Sequence, residues 1–280
     1  MPKSAGAVKA VLNTIAGPLK SLVRKLAPQP YDYLRNTFWT LKDRRRERHL
    51  ASIADRWLKH NPRVVQSGPF EGLKYVDQAI GSALLPKLLG TYELELHELM
   101  RQIPAREYRR IVDVGCAEGY YAVGLARSCP SAQVLAYDIN PEGRRLCQAM
   151  GQANQVMEKL VIGEFCDSAT LQGLPEEPTL VISDCEGYEL TLLDPEIAPK
   201  LKHFDLLVEL HDFVHAGLTK TLQNRFSASH DIRLITSQPR RGEDVPSLSF
   251  LPAIEQSMAV NEYRRVGQQW AWMQSRAPFV

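Results

Sequence analysis

No stretch of this chain approaches the roughly 18 consecutive apolar residues that a spanning helix needs, and lysines interrupt the apolar positions near its N-terminus, which argues against a secretory signal there. The five cysteines, Cys116, Cys129, Cys147, Cys166 and Cys185, are odd in number and include no C-x-x-C pair and no Cys/His cluster of zinc-ligand spacing. A disulfide framework and a structural zinc site are therefore not expected, and a reducing, cytoplasmic compartment is the simplest reading. The dinucleotide fingerprint G-x-G-x-x-G is missing too, as are internal repeats and long low-complexity segments.

What is present is unevenly distributed. Residues 1–60 carry 13 Lys and Arg against 4 Asp and Glu, a surplus of +9, whereas the remaining 220 residues sum to −7. The segment 4–26 places Val8, Val11, Leu12, Ile15, Leu19, Leu22, Val23 and Leu26 at helical spacing, with lysines and Arg24 on other faces. Gly17-Pro18 should kink it, because proline lacks the N–H of a continuous helix. The destinations open to this basic extension are an anionic membrane surface or nucleic acid, another subunit, or the acidic body of the same chain, on which it is simply a solvated face. A second helical stretch runs over about 33–59, and Pro62 with Ser67-Gly68-Pro69 closes the region. The expected organisation is a basic helical extension over 1–62, a helical lid or cap over 63–104, and an α/β domain over 105–280.

In that last part, short apolar runs alternate with amphipathic stretches. Strands are expected at Arg110–Val114, Gln133–Asp138, Lys159–Gly163, Leu180–Asp184, Asp205–Leu210, Ile232–Thr236 and Gln269–Met273. Helix-sized gaps separate the first five, which implies βαβ units. The fold class read from this is α/β, a Rossmann-like, doubly wound, mostly parallel seven-stranded sheet with an antiparallel edge strand.

The first strand runs into the turn Asp113-Val114-Gly115-Cys116-Ala117-Glu118-Gly119 and then a helix. Gly115 lets the chain leave the strand sharply, and Gly119 allows a ligand or helix backbone to come close. Nineteen residues beyond Gly119 the second strand ends in Asp138, where a carboxylate can accept both hydroxyls of a ribose. The pattern Asp113-x-Gly115-x-Ala117-x-Gly119 resembles motif I of class I methyltransferases. That resemblance implies that S-adenosylmethionine is the cofactor, that Gly115, Cys116, Ala117 and Gly119 face its methionine part, and that Asp138 holds its ribose. Gly68–Tyr75 and Gly90–Glu93 are expected to cover this crevice, with Tyr92 either a cofactor contact or a packing residue.

The fourth strand, expected beside the first, ends in Asp184-Cys185-Glu186-Gly187-Tyr188-Glu189. This resembles the D-x-E-G-x-E motif of FkbM-type methyltransferases, many of which methylate hydroxyl groups of sugars or other small molecules. Glu209 and His211 share a face at the end of the fifth strand, since strand side chains alternate. Small-molecule O-methyltransferases of similar layout hold magnesium at these two strand ends, and the resemblance implies a site formed by Asp184, Glu209 and His211. Imidazole suits manganese, iron or zinc better than magnesium, so the metal's identity stays open. His211 with Asp184 is alternatively the catalytic pair, His211 taking the acceptor's proton as general base. A buried acid–histidine pair that only stabilises the strand end is the third option. Glu186 and Glu189 are expected to shape the turn or orient neighbours.

The leading expectation is thus methyl transfer to a small-molecule hydroxyl. Paired acids near the acceptor would repel a nucleic-acid phosphate. Amide and adenine N-methyltransferases often carry Asn/Asp-Pro-Pro-aromatic at the fourth strand, where this chain has Ser183-Asp184-Cys185-Glu186. The alternatives are the same fold acting on a nitrogen, a sulfur or a protein group, and a nucleoside-binding module without turnover that the basic extension recruits to an anionic surface. Oligomeric state is not legible.

Overall fold

The computed structural model describes residues 46–264 and 267–279. The chain divides into two units, Met1–Lys59 and His60–Val280. In the first, residues 46–58 are helical (α1). The amphipathic segment 4–26 and residues 33–45 of the 33–59 stretch lie outside the described residues. No helix among the described residues is long and apolar enough to cross a membrane.

The second unit begins with an irregular segment that is tied by one antiparallel bridge between Val64 and Lys74. Two short helices follow, α2 (Leu84–Leu89) and α3 (His97–Gln102). Of the helical cap expected over 63–104, only this second half is helical. The apolar run of α2 ends at Gly90, whose backbone is left-handed, as helix C-termini often are.

Seven strands then form one sheet: β1 (Arg110–Val114), β2 (Gln133–Tyr137), β3 (Leu160–Gly163), β4 (Thr179–Ser183), β5 (Asp205–Leu210), β6 (His230–Thr236) and β7 (Gln269–Ser275). Each lies within two residues of its expected bounds. The spatial order is β3-β2-β1-β4-β5-β7-β6. Strands β1 to β5 pair in parallel, and β7 runs antiparallel to both β5 and β6. The antiparallel strand therefore sits one place in from the β6 edge. Strand order reverses between β1 and β4, the switch point at whose carboxyl ends open α/β sheets bind ligands.

The helices between the strands are α4 (Tyr120–Ser128), α5 (Pro141–Ala153), α6 (Ser168–Gln172), α7 (Glu189–Leu192), α8 (Leu218–Phe226) and α9 (Ala253–Ala259). Alternate residues of the sheet, including Val112, Val181, Leu206 and Met273, form one continuous buried cluster with Leu192, Leu218, Leu222 and Phe226 of α7 and α8. Helices α4 and α5 lie against β1, β2 and β3. Asn140 caps α5 by accepting the N–H of Glu142, and Asp167 caps α6 through the N–H of Thr170. Both caps stand just beyond the carboxyl ends of β2 and β3, so the chain turns back there over a ligand-sized opening.

Candidate functional site

A cavity of about 590 Å³ opens at the carboxyl ends of β1, β2, β4 and β5. Gly115, Cys116 and Ala117 of the Gly115–Gly119 turn line it, whereas Gly119, expected to face the cofactor, does not. Gly115 sits at φ +88°, and a Cβ there would stand 1.7 Å from the carbonyl oxygen of Asp184. The close passage of two strand ends at the switch point therefore excludes any side chain at this position. Gly119 (φ +93°) begins α4 and rests on the sulfur of Cys147, 2.7 Å from where its Cβ would be.

The two features read from sequence as a cofactor site touch one another. The N–H of Ala117 donates to Oδ2 of Asp138 at 2.7 Å, and the N–H of Asn140 donates to Oδ1 at 2.7 Å. A carboxylate has about four lone-pair sites, so capacity for further donors remains on Asp138. Beside it, Ile139 and Phe165 line the cavity although they are 73% and 55% exposed. Large apolar side chains left open at the lip of a cavity suit a flat, apolar-faced ligand. Sequence reasoning missed both; their signal is their position, one residue past the acid of β2 and two past the end of β3.

Asp113, Cys116 and Tyr92 also line the cavity. Asp113 is buried with one carboxylate oxygen lacking a hydrogen-bond partner. Burial above all, with the nearby charge of Asp184, pushes its carboxyl up to about 7. Tyr92 is buried, its hydroxyl accepting from Arg264 at 2.9 Å and its ring lying under the Lys87 ammonium. Both a packing role and a place in the wall are thus realised at Tyr92.

The side of the cavity at the ends of β4 and β5 is built on His211. Its Nδ1 donates to Oε1 of Glu189 at 2.8 Å, which aims Nε2 at three carboxylates: Asp184 at 3.5 Å, Glu209 at 3.7 Å and Glu186 at 3.8 Å. Glu189 is fully buried at the start of α7 and also accepts the N–H of Cys185. Burial by itself lowers the imidazole pKa, but the Glu189 bond and the surrounding negative charge hold it above the usual histidine value. Glu189 is correspondingly held low: its burial is outweighed by His211.

The expected trio of Asp184, Glu209 and His211 is present, but a different set meets metal-ligand geometry. Asp184, Glu186 and His211 offer ligand atoms all within 4.8 Å of one another. Glu209 is instead engaged by Arg264, which also binds Glu93 and, at 2.8 Å, Glu262. Burial and the adjacent Asp184 push the Glu209 carboxyl up to about 11 against the pull of Arg264. A carboxyl that keeps its proton is a poor cation ligand. Arg240 extends this buried network to Glu95 and Glu262, each at 2.7 Å. The contacts of Arg264 with Glu93 and Glu209 were not legible, because these partners stand 171 and 55 residues away along the chain.

Known proteins resemble this arrangement in part. Residues 96–183 match the methyltransferase small domain family. A release factor glutamine methyltransferase of Deinococcus radiodurans is 30% identical over 89 residues, which is 32% of this chain and 30% of that protein. The chain therefore spans less than a third of that curated relative. Among solved structures, the O-methyltransferase TomG of Streptomyces achromogenes, in complex with SAM, is 15% identical; the match covers 64% of this chain and 78% of that one, with a TM-score of 0.44. An rRNA methylase of Streptococcus thermophilus is 12% identical over 65% of this chain and 96% of its own, with a TM-score of 0.44. The family match contains the Gly115–Gly119 turn and Asp138, and it stops one residue short of Asp184.

Proposed function

We propose that this chain is an S-adenosylmethionine-dependent methyltransferase acting on a hydroxyl oxygen of a small acceptor, with His211 as general base. The observation that carries the reading is the Ala117–Asp138 contact, which joins the motif I turn and the ribose-type acid in one cavity wall, opposite His211. The family match over residues 96–183 supports the cofactor half.

The residues present fit the cofactor. Asp138 has lone pairs left for ribose hydroxyls, Ile139 and Phe165 offer apolar faces for a nucleobase, and the orphan oxygen of Asp113 lies in the same wall. When bound, S-adenosylmethionine supplies a methyl group already activated on a sulfonium, so the chain has mainly to align the acceptor and exclude water. His211 Nε2, unprotonated, accepts the hydroxyl proton as the oxygen becomes the nucleophile, and Glu189 stabilises the imidazolium that results. The Asp184-x-Glu186-Gly187-x-Glu189 motif fits an FkbM-like acceptor site, since each of its acids has a place around this histidine.

A metal-assisted second reading is favoured by one observation: Oδ1 of Asp184 is buried without a hydrogen-bond partner beside Glu186 and His211. A divalent cation held there would lower the pKa of the acceptor hydroxyl, leaving His211 a ligand rather than a base. A nitrogen, sulfur or protein acceptor has less support, since Ser183-Asp184-Cys185-Glu186 replaces the Pro-Pro motif of amide methyltransferases.

Calorimetric titration of S-adenosylmethionine and its demethylated product into the chain tests the cofactor. Micromolar binding, weakened at least about tenfold in Asp138→Ala by loss of charge-assisted hydrogen bonds, is expected. A folded wild-type chain that binds neither compound would overturn the reading. Turnover of hydroxylated acceptors with and without a chelator then separates base from metal.

A further inference from the structure

Glu118 lies inside the cofactor turn yet contributes nothing to the cavity wall. It is fully buried, and its carboxylate accepts from three groups that precede the sheet: the Tyr75 hydroxyl at 2.5 Å and the Ile80 N–H at 2.9 Å in the irregular segment, and the Lys87 ammonium at 2.5 Å in α2. Burial alone would raise this carboxyl, but Lys87 and the other donors hold it below its ordinary value. The three donors bracket Ile80, Gly81 and Ser82, which do line the cavity. Among the described residues, 76–83 form neither helix nor strand. One buried carboxylate therefore fastens this part of the wall to a turn whose neighbouring residue, Ala117, is itself bound by Asp138.

We propose that Glu118 is a positioning residue that latches segment 75–87 to the cofactor turn, so that ordering of the Ile80–Ser82 wall and cofactor affinity depend on each other. The proposal rests on the cavity being the S-adenosylmethionine site. Its physical basis is linkage: a ligand that fixes the turn fixes the carboxylate, the carboxylate fixes its three donors, and a wall held in place in advance lowers the ordering cost of binding. Lys87 makes the latch charge-assisted and excludes an easy alternative, because releasing the segment would leave Glu118 and Lys87 buried without their partners.

The test compares the full-length wild-type chain with Glu118→Gln/Lys87→Met, which removes both charges while keeping shape, and with Tyr75→Phe, which removes one donor only. Three quantities are read: the Kd for S-adenosylhomocysteine, the melting temperature without ligand, and amide hydrogen exchange over residues 76–83 with and without that ligand. In the wild type, the ligand slows exchange over 76–83. The double variant is expected to bind about 10- to 100-fold more weakly, within the usual range of coupling between sites, with fast exchange over 76–83 that no longer responds to ligand. Tyr75→Phe should fall between the two with an almost unchanged melting temperature. A variant that melts earlier but keeps wild-type affinity and ligand-dependent protection would show a purely structural role and overturn the latch. Weakened affinity with unchanged exchange over 76–83 would also overturn it. Should the wild type bind no ligand, the cofactor reading fails on its own. The ligand-free comparison still decides the latch, which requires faster exchange over 76–83 in both variants.

Discussion

His211 is subject to two opposed influences, and their balance sets how the site should respond to pH. Burial favours the neutral ring, while Glu189, Asp184 and Glu186 favour the charged one and prevail. Only the neutral ring can take a proton, so kcat should rise with pH through a midpoint above the ordinary histidine value. Glu189→Gln removes the strongest of the opposing influences and should move that midpoint down; an unmoved pH–rate profile would remove His211 from the role of base. His211→Gln should lower kcat by about 10²- to 10⁴-fold, the usual worth of a general base, while leaving the Kd for the demethylated cofactor near that of the wild type. Glu93 makes a second pH-dependent contribution. Burial, above all, pushes its carboxyl up to about 8 despite Arg264. The native state then keeps a proton that the unfolded chain has already lost, so stability declines as pH rises from the ordinary carboxylate range towards 8. Melting temperatures at pH 5.5 and 8.5 should differ less in Glu93→Gln than in the wild type. At this scale the sequence pointed to candidate groups at the strand ends but not to how they pair. Asp184 and His211 were readable as residues at strand ends, whereas the partnership of Glu209 with Arg264 depends on a loop brought back from 55 residues away.

Strands and turns were far more legible than side-chain partners, because their causes are local. The apolar run Ile111–Val114 followed by glycine can hardly be anything but a strand leaving a sheet, and the same holds for Val134–Tyr137 before Asp138. Segment 63–83 was misjudged as helical for the converse reason. Much of its order comes from outside, through Glu118 and the bonds that Asn154 makes to the backbone of Lys74, and leaves little periodic trace in the sequence. Gly115 ties this level to stability. An alanine there meets both an unfavourable φ and the Asp184 carbonyl. Gly115→Ala should therefore cost at least about 2 kcal/mol, from strain alone, or some 4–8 °C in melting temperature. Calorimetric melting checks this, and a melting temperature equal to the wild type's would contradict the crossing of strand ends described above.

The molecule as a whole is electrically lopsided. The +9 of residues 1–60 stands against −7 over the remainder. This predicts that any association of the full chain with anionic phospholipid vesicles weakens steeply as salt is raised from about 0.05 to 0.5 M, where screening shortens to a few ångströms. Co-sedimentation across that range measures it, and association indifferent to salt would assign the attraction to apolar contacts instead. The fold class was legible at this level because alternating apolar runs admit few architectures. The place of β7 was less so, since nothing local in Gln269–Ser275 says which neighbours it will choose.

That choice bears on the order in which the chain can become functional. Strand β7 is the last of the seven along the sequence, yet it is inserted between β5 and β6. During synthesis β5, which carries Glu209 and leads into His211, keeps a bare hydrogen-bonding edge for some sixty residues. A ribosome-bound chain can complete the side of the crevice at β1 and β2 well before the side at β5 is supported. In that interval it exposes an apolar strand edge of the kind that chaperones shield and other chains adopt.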